Sequence, residues 1–336
     1  MNKIAKTVLM TGTALCAAGV VLSTAGYFAG GKDFTYTSDH MYVSGGNSSS
    51  RKNLTVMKKE QIDDFTKLNV DFENFDLDIR TSDDDHYYME YKLEKNGRKN
   101  PLTWKDKDGE LTLEESAGGS GSYYITYDLG IFSTHADLTE KKDALNTVIL
   151  YIPEKAQLSE AEIQLSDGDL TADQLLCKEM TLELLNGDLM LDKGEFEKFD
   201  AKLSDGDLNV KELQCTDNMQ LKSGNGDVTI KKAELADGQI VLSDGDLQID
   251  NGSFNGDMKI NSSCGDISVE MKNGSVEKTH IYLKAVEGDV VTEGLSSGKC
   301  DNEEDTSVYD NKAGASAPTL NVKCSDGDIT LTESEK

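Results

Sequence analysis

Ser204-Asp205-Gly206-Asp207-Leu208 is one of eight versions of a single five-residue turn. The others are Ser166-Asp167-Gly168-Asp169-Leu170, Leu185-Asn186-Gly187-Asp188-Leu189, Gly224-Asn225-Gly226-Asp227-Val228, Ser243-Asp244-Gly245-Asp246-Leu247, Ser263-Cys264-Gly265-Asp266-Ile267, Val286-Glu287-Gly288-Asp289-Val290 and Ser325-Asp326-Gly327-Asp328-Ile329. From Gly168 to Gly327 the central glycines are separated by 19, 19, 20, 19, 20, 23 and 39 residues. A fixed period near 20 is the mark of a stacked repeat.

With each glycine numbered zero, position −5 holds Ile163, Leu182, Ala201, Leu221, Ile240, Ile260, Leu283 and Val322. Position −3 holds Leu165, Leu184, Leu203, Ser223, Leu242, Ser262, Ala285 and Cys324. After the turn, positions +2 and +4 carry pairs such as Leu189/Leu191, Leu208/Val210 and Ile267/Val269. Apolar residues two apart on each side of a turn make two short strands with one inward face. The odd gap from −3 to +2 requires a corner at the glycine, where positive φ is cheap and a preceding Asn or Asp favours the turn. A third apolar column stands at +9: Cys177, Phe196, Cys215, Leu235 and Phe254. The pattern predicts an all-β, single-stranded parallel β-solenoid of 19–20 residues per coil, with coils about 4.8 Å apart. Serial hairpins would want a tight turn about every 10 residues, and propeller blades repeat at about 40 or more.

A degenerate copy lies upstream, with Val70, Phe72, Asn74, Phe75, Asp76, Leu77 and Ile79 at −5, −3, −1, 0, +1, +2 and +4. The coil is expected to begin there and to be interrupted by strand-like segments at 87–93, 109–113, 122–127 and 147–152. The organisation that follows is a cytoplasmic tip and anchor at 1–30, a polar linker at 31–60, and an N-terminal β region with the degenerate coil and capping strands at 61–153. The regular solenoid occupies 154–336. Its long step between Gly288 and Gly327 is close to two periods, and the segment 296–318, rich in Gly, Ser and Ala, reads as an inserted exposed loop.

Between Lys6 and Lys32 no residue is charged, a stretch long enough to cross a bilayer as one transmembrane helix. Lys3 and Lys6 precede it, which places the N-terminus in the cytoplasm and the C-terminal domain outside the cell membrane. A cleaved signal peptide ending near Ser23-Thr24-Ala25 is the rival reading.

The whole chain carries 62 acids against 34 bases, a net charge of −28, which argues against nucleic acid as a partner. Only 37% of residues are hydrophobic, low for a compact globule but adequate for a thin columnar core. Of six cysteines, Cys16 falls in the apolar stretch and Cys300 in the inserted segment. Cys177 and Cys215 share position +9 two coils apart, roughly 9.5 Å, beyond the reach of a relaxed disulfide. Cys324 faces inward at −3, and Cys264 replaces the usual Asp or Asn at −1. No CxxC occurs.

The acidic turns are the one candidate for chemistry. Asp169, Asp188, Asp207, Asp227, Asp246, Asp266, Asp289 and Asp328 form a column at +1. Asp167, Asp205, Asp244 and Asp326, with Asn186 and Asn225, form another at −1. Stacked carboxylates about 5 Å apart repel by roughly 1 kcal/mol per pair even in water. Backbone N–H donors at the corners would offset that; calcium threaded between coils is the rival account. The four histidines, His40, His86, His135 and His280, share no phase, and no G-x-S-x-G, HExxH or P-loop is present. No catalytic, cofactor-binding or metal-binding residue is therefore assigned. A β-helix enzyme acting on glycans is a further alternative, and would need a basic groove across adjacent coils. Trp104, Tyr87, Tyr88, Tyr91, Tyr123, Tyr124 and Tyr127 gather before the regular coils, where they would cap the open end or offer a carbohydrate platform.

A short basic N-terminus, an apolar anchor, the strand Val148-Ile149-Leu150-Tyr151-Ile152-Pro153 and eight phased x-x-Gly-Asp-[Leu/Val/Ile] coils together resemble the bacterial β-strand-repeat "putative adhesin" family, a membrane-anchored domain of unknown function. The likeness covers residues 60–336. It implies a β-solenoid on the outer face of a membrane. Together with the absence of a catalytic motif, this leads to the expectation of a non-catalytic interaction or scaffolding module at the cell envelope, with a protein or a glycan as its partner. The likeness supplies no catalytic or binding residues.

Overall fold

The computed structural model describes residues 34–36, 41–43, 54–117, 145–293, 295, 298–303, 306–312, 314 and 316–335. The expected transmembrane stretch, and the strand expected at 122–127, lie outside them. Two units are distinguished. Of the smaller, the described part is a ribbon in which Phe34–Tyr36 runs antiparallel to Met41–Val43. The larger, Thr55–Ala117 with Asp143–Lys336, contains no α-helix among its described residues and folds as one continuous system of strands.

Parallel ladders place like positions of successive repeats side by side. Leu165 pairs with Leu184, Leu184 with Leu203, Leu203 with Ser223, Ser223 with Leu242, and Leu242 with Ser262. All are buried, as are Cys177, Phe196, Cys215, Leu235 and Phe254 of the third column. The alternation of the sequence thus becomes a single-file core, because period-2 side chains on strands that bend at each corner all meet inside. The core is broader than the sequence columns indicate. Position +7, occupied by Leu175, Gly194, Leu213, Ala233 and Gly252, also aligns between coils and points inward.

Chain order and stacking order differ at both ends. Beyond the Gly265 coil the next neighbour is the Gly327 coil: Ile260 pairs with Val322 and Ile267 with Ile329. The Gly288 coil lies outside that, with Leu283 on Val322 and Val290 on Ile329. The last coil of the chain is therefore inserted between two earlier ones. At the other end the degenerate coil is likewise not terminal. Val70 and Leu77 pair with Ile163 and Leu170 on one side, and with Leu113 and Val148 on the other.

The outermost coils are closed by antiparallel strands. Tyr88–Glu94 lies on Thr147–Pro153, and Leu102–Lys107 on Glu110–Glu115. At the far end Thr306–Asp310 lies on His280–Val286, with Lys299–Glu303 beyond it. Unpaired ladder edges invite strand addition, and these ribbons cover them. Residues 296–318 are thus not only a loop: two strands form within them, and Ser307 and Tyr309 are buried. Their Gly- and Ser-rich flanks mask the short Thr306-Ser307-Val308-Tyr309-Asp310 alternation in the sequence.

An ion pair invisible in the repeat pattern locks the first end. Arg98 and Glu115 meet at 2.8 Å, with side chains only 8% and 1% exposed. The Glu115 carboxylate also accepts the backbone N–H groups of Glu73 (2.9 Å) and Asn74 (2.6 Å), immediately before the degenerate corner. Arg98 donates further to the Ser116 carbonyl and lies 5.4 Å from the Phe75 ring.

Candidate interaction surface

Each corner is built from three stacked elements. The first is the glycine, whose absent Cβ is what lets the coils approach. A Cβ at Gly187 would run into the Gly168 carbonyl, one at Gly206 into that of Gly187, and so on to Gly288 over Gly327. Positive φ is the lesser reason: Gly206, Gly226, Gly245, Gly265 and Gly327 have it, whereas Gly168, Gly187 and Gly288 do not. Phe75 stands in the glycine position only in the degenerate coil, where its ring turns into the core against Phe72.

The second element is the Asp column at +1. Its carboxylates do not close Asx turns on their own corner; each reaches across to the next coil. The Asp188 N–H donates to Asp169 Oδ1 (2.9 Å), Asp207 to Asp188 (2.8 Å), Asp227 to Asp207 (2.9 Å) and Asp246 to Asp227 (2.9 Å). The file continues through Asp266, Asp328 and Asp289 in stacking order. A hydrogen bond to a charged group contributes about 1.5–3 kcal/mol, which outweighs roughly 1 kcal/mol of repulsion between neighbours. The third element is the −1 column. In stacking order it reads Asn74, Asp167, Asn186, Asp205, Asn225, Asp244, Cys264, Asp326, Glu287, so a neutral residue separates successive acids everywhere but at the last step. Asn186 donates its amide to Asp167 (2.7 Å) and Asn225 to Asp205 (2.6 Å).

Asp76 heads the +1 file, accepting the Asp169 N–H at 3.0 Å, and burial raises its carboxyl above the ordinary range despite that bond. A folded-state pKa above the unfolded one means that the ionised form costs stability. That cost is full above the raised pKa and disappears as pH falls through it. An Asn at this position keeps the acceptor without the charge. Asp76→Asn should therefore melt at or above the native temperature at neutral pH, with the advantage shrinking on acidification through the carboxylate range. Thermal melts across pH check this; an advantage that grows on acidification would contradict it.

The thiols at the centre of the coils are chemically quiet. Cys177, Cys215 and Cys324 are free and buried, and burial pushes the Cys177 thiol up to about 12 and raises the other two. Phe196 lies between Cys177 and Cys215 in the ladder, in keeping with two coil spacings between the thiols. Cys264 is free and exposed. Of the aromatic group, Tyr87 is buried against Phe65 and Tyr91 packs on the core, so both serve the closing ribbon. The Tyr88 and Tyr151 rings flank the Lys59 ammonium at 4.9 and 3.8 Å from their centroids. Trp104 remains 38% exposed. Tyr123, Tyr124 and Tyr127 lie outside the described residues.

Outward-facing residues also stack in rows. A shallow depression between Lys193, Glu195, Glu212, Lys232 and Glu234 is filled by local pairing, Lys193 with Glu195 (2.6 Å) and Lys232 with Glu212 (3.3 Å). Among the described residues no three His, Cys, Asp or Glu side chains are grouped to hold a metal ion, and no helix is long and apolar enough to cross a membrane.

This is a β-solenoid-like repeat whose outward residues align in rows from coil to coil. The chain belongs to the Toastrack DUF4097 family, a domain of unknown function, whose model matches residues 65–332. No curated protein matches it. Among solved structures it is similar to a "putative adhesin" from Parabacteroides merdae, at 17% identity over 86% of this chain and 98% of that one, with a TM-score of 0.48. A "putative cell adhesion protein" from Clostridium sporogenes shares 17% identity over 83% and 100%, TM-score 0.23. A "putative lipid binding protein" from Parabacteroides distasonis shares 10% over 84% and 97%, TM-score 0.40.

Proposed function

We propose that this protein is a membrane-anchored, extracytoplasmic interaction module that uses the flat faces of its solenoid to hold other components of the cell envelope, without catalysis. The observation that carries this reading is the uninterrupted corner file, from Asp76 to Asp289. It spends the most repeated polar groups of the sequence on rigidity and leaves the outward rows to meet a partner. The apolar stretch between Lys6 and Lys32 supports an anchor, with the acidic bulk of the chain outside the cytoplasm. The calcium reading loses its motive, because backbone donors engage the ladder carboxylates that a cation would otherwise be needed to separate.

Two measurements test the proposal. Protease added to intact cells should digest the solenoid while sparing the extreme N-terminus. The detergent-solubilised full chain, immobilised, should retain envelope material from a cell-wall and membrane extract without altering it. A protected solenoid, an empty column, or turnover of a retained glycan would each overturn the reading.

A further inference from the structure

We infer that one face of the C-terminal half, made by positions −6, −4 and −2 of the Gly226, Gly245, Gly265, Gly327 and Gly288 coils, binds a linear acidic polysaccharide. The inference rests on the interaction-module reading and names its ligand class. In a chain of net charge −28 these fifteen positions contain no Asp or Glu and four lysines: Lys222, Lys259, Lys323 and Lys284. The ladder aligns them along one strip. Lys222 neighbours Val241, Val241 neighbours Asn261, Asn261 neighbours Lys323, and Lys323 neighbours Lys284, while Lys259 sits one row aside between Gln239 and Asn321.

This clustering appears only when the coils are put in stacking order, because Lys323 falls between the Gly265 and Gly288 coils. In the N-terminal half the same rows carry Glu162, Glu183 and Asp200, and their Lys202 is bound to Glu183 at 2.5 Å. The four C-terminal lysines make no ion pair among the described residues, whereas Lys178, Lys198, Lys202, Lys211 and Lys232 elsewhere on the coils do. Lys222, Lys259 and Lys323 are exposed and Lys284 is half-buried.

The chemistry of the strip matches a charged sugar chain. Lysines supply point charges for carboxylates, and the amides of Gln239 and Asn321 between them can bond hydroxyls. Five coils span roughly 19 Å at about 4.8 Å per step, the length of a few extended sugar units. Acids resume on both margins, Asp237 and Asp257 on one and Asp244 and Asp326 on the other, and at the two ends, Asp200 beside Gln220 and Asp310 beside Tyr282, so an anionic chain is confined to the strip. At physiological salt the Debye length is about 8 Å, so the distant acids are screened while the strip acts at contact. The strip itself holds no carboxylate or histidine to serve as acid or base, which suits retention of a glycan rather than its cleavage.

The test uses the full chain in detergent at about 0.15 M salt, electrophoresed through gels containing polygalacturonate or uncharged dextran. Polygalacturonate should retard the native protein and a Lys231→Glu control from another row, and dextran should retard neither. A Lys222→Glu/Lys323→Glu double variant should bind at least tenfold more weakly with an unchanged melting temperature. No retardation, or equal retardation of the double variant, would overturn the inference. So would a sedimenting dimer that the double variant dissociates, since the strip would then belong to a second copy. Envelope material still retained by a chain that ignores polygalacturonate would sink the ligand class alone and leave the module reading standing.

Discussion

Gly206→Ala is expected to cost about 3 kcal/mol or more, near the top of the range for single substitutions. The new methyl group would enter the Gly187 carbonyl, and φ at this position is +137°, where an L side chain is strained in any case. Relief requires spreading two coils. That would stretch the Gly187 N–H to Asp205 carbonyl bond (3.1 Å), the Leu189 N–H to Asp207 carbonyl bond (2.9 Å) and the Asp207 N–H to Asp188 bond (2.8 Å) together. Because a solenoid is held by nearest-neighbour interfaces, a weakened middle coil should also divide the unfolding transition in two. Gly314→Ala is the control, since nothing lies within 4 Å of its Cβ position and its φ is unremarkable. Denaturant titration reads both; a loss below about 1 kcal/mol at Gly206 would mean that the coils do not approach as described.

Glu115→Ala should be nearly as damaging, by about 3–5 kcal/mol, because it leaves the Arg98 guanidinium buried without its partner. It also removes the carboxylate that accepts the N–H groups of Glu73 and Asn74. Glu115→Gln keeps an acceptor and should lose less. The exposed pair Lys67–Glu160, similarly short at 2.6 Å, should by contrast tolerate Glu160→Gln with little change, since water stabilises both charges when they part. A Glu115→Ala variant as stable as Glu160→Gln would remove the latch from the account.

The repeat was legible in the sequence because each coil answers to the same two constraints, an inward period of two and a corner too tight for a side chain. That is why Leu165, Leu184 and Leu203 fall into register. The sequence shows only part of the cause of the corner glycine. Conformational preference is visible in one residue and its neighbours, whereas the collision with the carbonyl of the coil below exists only after stacking. The same limit explains the Asp file, whose donors lie about a full period away rather than in the same turn. The order of the last coils could not be read, since the Gly288 and Gly327 copies fit either slot by their apolar pattern. Arg98 and Glu115 belong to no column, and nothing in their surroundings in sequence marks them as partners. For the interaction surface, the lysine strip is dispersed over about a hundred residues, from Lys222 to Lys323, and is interrupted by acids until the coils are folded.

The most direct test introduces cysteine pairs at outward positions of the last three coils and maps disulfides by mass spectrometry after mild oxidation. Ser268 and Thr330 are ladder partners, as are Thr330 and Val291. Ser268 and Val291 are then two coils apart, roughly 9.5 Å, beyond disulfide reach. The S268C/T330C pair should close into an intrachain bridge and S268C/V291C should stay reduced. Closure of S268C/V291C with an open S268C/T330C would show coils stacked in simple chain order, and would contradict the inserted C-terminal coil and the lysine strip that depends on it.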